Sequence, residues 1–179
     1  MNKTVFIDRD GVIVEENNYN KIEQLKLIEG SAKAIKLLNK NNFLTIIITN
    51  QAGVAKNYFT ENDVIIFNNK LKEKLKEHNN CHIDAIYYCP HHPNSNCECR
   101  KPKSGMLYTA KGKFDIDFTE SFMIGDKITD IEAGDNVGCK TIMVMTGYGK
   151  ENVNIKTNKS YHVAENLYDA VKFIIKEII

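Results

Sequence analysis

Tryptophan is absent from the 179 residues, proline occurs three times, and no internal repeat or low-complexity linker breaks the chain. No apolar run approaches the roughly 20 residues that a membrane-spanning helix needs, and the opening MNKTVFIDRD meets charge too early for an export signal. A cytoplasmic protein with no membrane partner is expected. An excess of one charge is missing as well: 24 Lys and Arg face 23 Asp and Glu, leaving a net +1, so no global field would gather nucleic acid. Any ligand must be recognised locally. Cysteine is sparse and odd in number, five in all, with Cys89, Cys97 and Cys99 crowded into one short stretch. That pattern argues against a disulfide framework and suits a reducing compartment and a metal ion.

With 42% hydrophobic and 26% charged residues, the chain can bury one ordinary core, so a single domain over 1–179 acting as a monomer is expected. Short β-branched runs read as buried strands at Thr4 to Ile7, Leu44 to Ile48, Ala85 to Tyr88, Phe122 to Ile124 and Thr141 to Val144. Helical periods fall between them. After Thr60, whose hydroxyl can cap a helix together with Asp63, residues Val64, Phe67, Leu71 and Leu75 share one face. A second helix follows Gly30 with Ala34, Leu37 and Leu38, and a last one runs from about Glu165 through Leu167, Ala170, Val171, Ile174, Ile175 and Ile178. Strand and helix alternation of this kind predicts an α/β fold, a Rossmann-like open parallel sheet with helices on both faces. The segments between the strands are filled by these elements, which leaves no length for a large cap domain. The polar, aperiodic stretch 147–159 is expected to be a surface loop.

Ligands of such sheets bind beyond the carboxyl ends of the strands. After TVFI comes Asp8-Arg9-Asp10-Gly11, after LTIII comes Thr49-Asn50-Gln51, and after FMI comes Gly125-Asp126-Lys127, with Asp130 shortly beyond. A single Asp after a strand is usually a turn former or a cap. Three strands delivering acids and a hydroxyl to one edge is a different matter. Clustered carboxylates repel one another unless a hard dication lies between them, and Mg²⁺ favours few carboxylates together with phosphate oxygens. Asp8, Asp126 and the backbone carbonyl of Asp10 are the expected ligands. Phosphoryl transfer follows, with Asp8 as nucleophile, Asp10 as general acid and base, and Thr49 and Lys101 stabilising the transferring group. Without the acids, Arg100-Lys101-Pro102-Lys103 would pass for a solvated turn.

Cys89-Pro90-His91-His92 followed by Cys97-Glu98-Cys99 offers four soft or borderline ligands on the loop 89–99. Tetrahedral Zn²⁺ is the natural occupant, held by Cys89, His91, Cys97 and Cys99, with His92 able to replace His91. A filled four-ligand site has no open position, so this metal is structural, and the loop delivers Arg100 and Lys101 directly after its last ligand. Cys81 and Cys139 lie elsewhere and read as ordinary thiols.

The motifs DRDG, TNQAG, CPHHP with CECRKP, and GDKITD together resemble the haloacid dehalogenase-like phosphatases, in the zinc-bearing branch that acts on heptose bisphosphate and histidinol phosphate. The resemblance spans Thr4 to Val144. It implies the same roles for Asp8, Asp10, Thr49, Lys101 and Asp126, and adds substrate contacts at Glu16, Asn17, Asn18, Tyr19, Asn50, Gln51, Ala52, Arg100 and Lys127. The implied substrate is a small phosphorylated metabolite, D-glycero-D-manno-heptose 1,7-bisphosphate losing its 7-phosphate. Histidinol phosphate is the alternative, suggested by the five-residue gap between His91 and Cys97 and by Val12 in place of Thr. A phosphoaspartate receiver domain also joins an Asp to Mg²⁺, a Thr and a Lys, but has no use for an acid two residues past its nucleophile.

Overall fold

The computed structural model describes residues 1–16 and 21–178. Six strands form one sheet: β1 (Thr4–Ile7), β2 (Leu44–Asn50), β3 (Ala85–Cys89), β4 (Phe122–Gly125), β5 (Lys140–Val144) and β6 (His162–Ala164). The helices are α1 (Ser31–Lys40), α2 (Glu61–Asn79), α3 (Gly105–Phe114), α4 (Ile128–Asp135), α5 (Gly149–Asn152) and α6 (Leu167–Ile178). All strand pairs are parallel, in the order β3-β2-β1-β4-β5-β6. The expected α/β class holds. The chain winds outward from β1 in one direction, then returns to β4 and winds the other way. The switch point, where such sheets open a crevice, therefore lies between β1 and β4.

Every residue of β1 and β4 is buried, as strands covered on both faces require. Side chains alternate between two core layers. Val5, Ile7, Ile47 and Ile124 meet Leu38 of α1, Phe67 and Leu71 of α2 and Ile174 of α6 on one face. On the other, Phe6, Ile46, Ile48 and Met123 meet Met106, Leu107 and Ala110 of α3 and Ala133 of α4. The Thr60 cap forms as a full capping box, in which Thr60 Oγ1 accepts from the Asp63 amide (3.2 Å) and Asp63 Oδ2 from the Thr60 amide (2.8 Å).

Several boundaries differ from expectation. β2 runs two residues beyond Ile48, since Thr49 and Asn50 still pair with Tyr88 and Cys89 of β3. The final helix starts at Leu167 because Asn166 caps it, its Oδ1 accepting from the Asp169 amide at 3.0 Å. Residues 147–159 are not all loop, for α5 lies among them. α4 and β6 were not anticipated: eight and three residues are too short to show a hydrophobic period. Between β1 and β2, the described residues hold a 3-10 turn at Ile22–Gln24 and α1, and no helix is long and apolar enough to cross a membrane.

Candidate active site

Asp8 directly follows β1 and Asp126 directly follows β4, so the two acids meet at the switch point between these neighbouring strands. Oxygens of Asp8, Asp126 and Asp130 all lie within 4.8 Å of one another, and all three residues are buried. Two close backbone approaches make this possible: Gly11 and Gly147 pack on Asp126, and the Tyr148 amide donates to Asp126 Oδ2 at 2.8 Å. Asp126 Oδ1 is left buried with no hydrogen-bond partner. Burial first, then the charges of Asp8 and Asp130, pushes the Asp126 carboxyl up to about 7. An orphaned acidic oxygen held among like charges is what a hard divalent cation would satisfy, so the donor set fits Mg²⁺.

Lys101 is the counter-charge. Its ammonium is almost wholly buried and reaches Asp8 Oδ1 at 2.9 Å, Asp130 Oδ1 at 2.5 Å and the Ile48 carbonyl at 2.7 Å. Burial alone would lower its pKa, but Asp130 and Asp8 outweigh burial and raise it. Asn50 sets its height: the Asn50 side chain exchanges two 3.1 Å hydrogen bonds with the Lys101 backbone. The Arg9 amide also donates to Asp8 Oδ1, at 2.8 Å. Asp130, named only as shortly beyond Asp126 in the sequence, is thus the fixed partner of the lysine. Its own amide contact, Asp130 Oδ2 accepting from Lys127 N at 3.0 Å, starts α4.

Asp10 is not one of the three grouped acids. Its Oδ2 accepts from Gln51 Nε2 at 2.7 Å, and the same amide donates to Thr49 Oγ1 at 3.0 Å. Gln51, expected to contact substrate, borders the adjoining cavity and also ties the second acid to the strand hydroxyl. A cavity of about 60 Å³ is lined by Asp8, Asp10, Thr49, Lys101 and Asp130, among others. It adjoins an open one of about 280 Å³ bordered by Glu16, Ala52, Lys56, Arg100 and Lys127. Arg100 Nη1 is buried there without a hydrogen-bond partner. Lys127 Nζ stands 4.0 Å from Glu16 Oε1, and its pKa is raised, the charges of Asp126, Asp8 and Glu16 overcoming burial. Asn17, Asn18 and Tyr19 lie outside the described residues. A larger groove beside α1, lined by Lys26, Leu27, Lys33 and Lys74, is remote from these acids.

The 89–99 loop gathers its soft atoms tightly. Cys89 Sγ is 3.0 Å from Cys99 Sγ, 3.7 Å from Cys97 Sγ and 3.6 Å from His91 Nδ1, while His91 Nδ1 is 3.1 Å from Cys99 Sγ. Ligands about 2.3 Å from a tetrahedral zinc stand roughly 3.7 Å apart, so the cluster has the right size. His92 faces elsewhere, its Nδ1 accepting from the Asn94 amide at 3.2 Å. Burial pushes the Cys89 thiol up to about 12, a proton that a bound cation would displace.

An acidic cluster with a buried lysine, at the switch point of a doubly wound parallel sheet, defines a class of hydrolases suited to phosphoryl transfer. Residues 98–170 match the HAD-hydrolase-like family model. The chain is 36% identical over 179 residues to D-glycero-beta-D-manno-heptose-1,7-bisphosphate 7-phosphatase of Haemophilus ducreyi, covering 96% of this chain and 98% of that one. It is 40% identical over 151 residues to D-glycero-alpha-D-manno-heptose-1,7-bisphosphate 7-phosphatase of Campylobacter jejuni, with 83% and 86% covered. The crystal structure of D,D-heptose 1,7-bisphosphate phosphatase from B. bronchiseptica, complexed with magnesium and phosphate, superposes with a TM-score of 0.91 at 27% identity, over 98% of this chain and 99% of that one. The chain belongs to the haloacid dehalogenase-like hydrolases, and within them to the phosphatases.

Proposed function

We propose that the protein removes the 7-phosphate of D-glycero-D-manno-heptose 1,7-bisphosphate through a transient acyl phosphate on Asp8. The observation that carries the substrate is the cationic shoulder beside the small acidic cavity, where Arg100 keeps a buried unpaired nitrogen next to Lys127. A bisphosphate brings a second anion to that place, and a guanidinium fork suits it. The likeness to heptose bisphosphatases at 36% and 40% identity supports the same choice.

Asp8, Asp126 and the Asp10 carbonyl would hold Mg²⁺, which would shield the acids from the incoming phosphate. Lys101 neutralises Asp8 and Asp130, and its ammonium with the Thr49 hydroxyl would receive the phosphoryl oxygens. An Asp8 oxygen forms a bond to phosphorus as the bond from phosphorus to the sugar oxygen breaks, and that oxygen takes the proton of Asp10. Asp10, now a carboxylate, accepts a proton from water. The water oxygen then bonds to phosphorus, the acyl phosphate P–O bond breaks, and Asp8 is restored. The thiolates of Cys89, Cys97 and Cys99 with His91 would hold a structural Zn²⁺.

Histidinol phosphate would bring a cationic amine to the Arg100 and Lys127 shoulder, where two cations already stand. Phosphate release from both compounds under Mg²⁺ is the test. A clear preference in kcat/KM for the heptose bisphosphate is expected; preference for histidinol phosphate would reassign the substrate.

A further inference from the structure

Arg9 stands between the two acids and leads the fully buried side chains in size. A guanidinium taken wholly out of water is costly unless its charge and donors are met. Nε lies 3.2 Å from both Asp10 oxygens and Nη2 is 3.0 Å from Asp10 Oδ2. Nη1 donates to Asn68 Oδ1 at 2.8 Å, and the cation rests 4.5 Å from the centre of the Phe67 ring. Asn68 and Phe67 belong to α2, which lends no residue to either cavity at the acids. A helix outside the pocket therefore braces an arginine that grips one of its acids.

The grip is uneven. Asp10 Oδ2 receives Gln51 Nε2 at 2.7 Å, Arg9 Nη2 at 3.0 Å and Arg9 Nε at 3.2 Å, whereas Oδ1 receives Nε at 3.2 Å. We infer that Arg9, braced by Asn68 and Phe67, is a positioning residue that pins Asp10 through Oδ2 and presents Oδ1 to the leaving oxygen and then to water. This rests on the acid and base role given to Asp10 above. An Asp side chain without such anchors samples several rotamers, and misplacing a catalytic group by about 1 Å can cost on the order of 100-fold. Lysine cannot reproduce the grip, because a point charge has no planar fork with which to set the carboxylate plane.

A structural ion pair would affect all substrates alike, whereas a misplaced acid matters most for leaving groups that need a proton. The test is single-turnover release of the alcohol from a series of phosphate monoesters, p-nitrophenyl to simple alkyl, under Mg²⁺. That release reports the first half of the reaction alone. Asp10→Asn, Arg9→Lys, Asn68→Leu and Asn68→Asp are compared with the parent protein. Arg9→Lys and Asn68→Leu should slow alkyl phosphates by about tenfold or more and p-nitrophenyl phosphate by less than about threefold, the same tilt as Asp10→Asn. Asn68→Asp keeps an acceptor for Nη1 and should stay near the parent. Should Arg9→Lys not fold, the two Asn68 variants decide. Equal losses across the series, or no loss, in Arg9→Lys and Asn68→Leu beside a tilted Asp10→Asn would overturn the positioning role. A flat series in Asp10→Asn would instead overturn the acid and base reading, and this inference with it.

Discussion

Asp126 depends on two residues that have no side chain. Gly11 and Gly147 sit at φ +81° and +54°, and a Cβ on either would stand 2.4 or 2.3 Å from Asp126 Oδ2. Backbone in that region favours glycine, and the space is already taken by the carboxylate. Gly147→Ala should push Asp126 off the Tyr148 amide and raise the Mg²⁺ concentration for half-maximal activity by about tenfold or more, read by titrating activity with Mg²⁺. Asp8→Asn makes the opposite kind of change, keeping shape and removing the proposed nucleophile. Turnover should fall by at least about three orders of magnitude while the melting curve stays within a few degrees of the parent; appreciable residual phosphate release would reject Asp8 as the attacking group. At this scale the sequence was legible where chemistry follows a strand directly, as for Asp8 and Asp126. It was silent on Arg9, although a charged residue between two acids at a buried strand end is a signal that could have been followed.

The 89–99 loop is the element whose integrity the site needs most. Cys89 closes β3 beside Asn50 of β2, and Asn50 clamps the Lys101 backbone two residues after Cys99. Loosening one end of the loop thus loosens the lysine that neutralises Asp8 and Asp130. On the proposed zinc site, Cys97→Ala should lose the ion, lower the melting temperature by about 5 °C or more and reduce kcat together with it. Native mass spectrometry with a melting scan checks this, and an unchanged metal count would remove zinc from the account. Helices were legible in proportion to their length and cap. α2 announced itself by Thr60, Asp63 and a four-residue apolar stripe, whereas α4 is eight residues, ITDIEAGD, whose identity as a helix depends on packing against β4 and β5.

For the whole molecule, the order β3-β2-β1-β4-β5-β6 matters more than any strand, because it sets Asp8 and Asp126 just past the ends of adjacent strands. The sheet is held between two apolar layers, and the layer under α1, α2 and α6 also carries Phe67, the ring beneath Arg9. Leu71, one turn further along α2 and fully buried, should cost about 2–5 kcal/mol when cut to alanine, measured by denaturant unfolding. Its effect on Asp10 chemistry should be smaller than that of Asn68→Leu, which severs the arginine directly. The residue types after each strand, the alternation that makes the sheet parallel and the four zinc-type ligands were all present in the linear chain. Those signals are local, carried by covalent spacing within a dozen residues or so. Tertiary structure alone could say that Asp130 pairs with Lys101, that Asp10 faces Arg9 and Gln51, and that His91 joins the thiols while His92 does not. Lys101 and Asp10 meet partners brought by other strands and helices. Which side-chain atoms come within bonding distance there is settled by the crossovers and by packing, which no local pattern encodes.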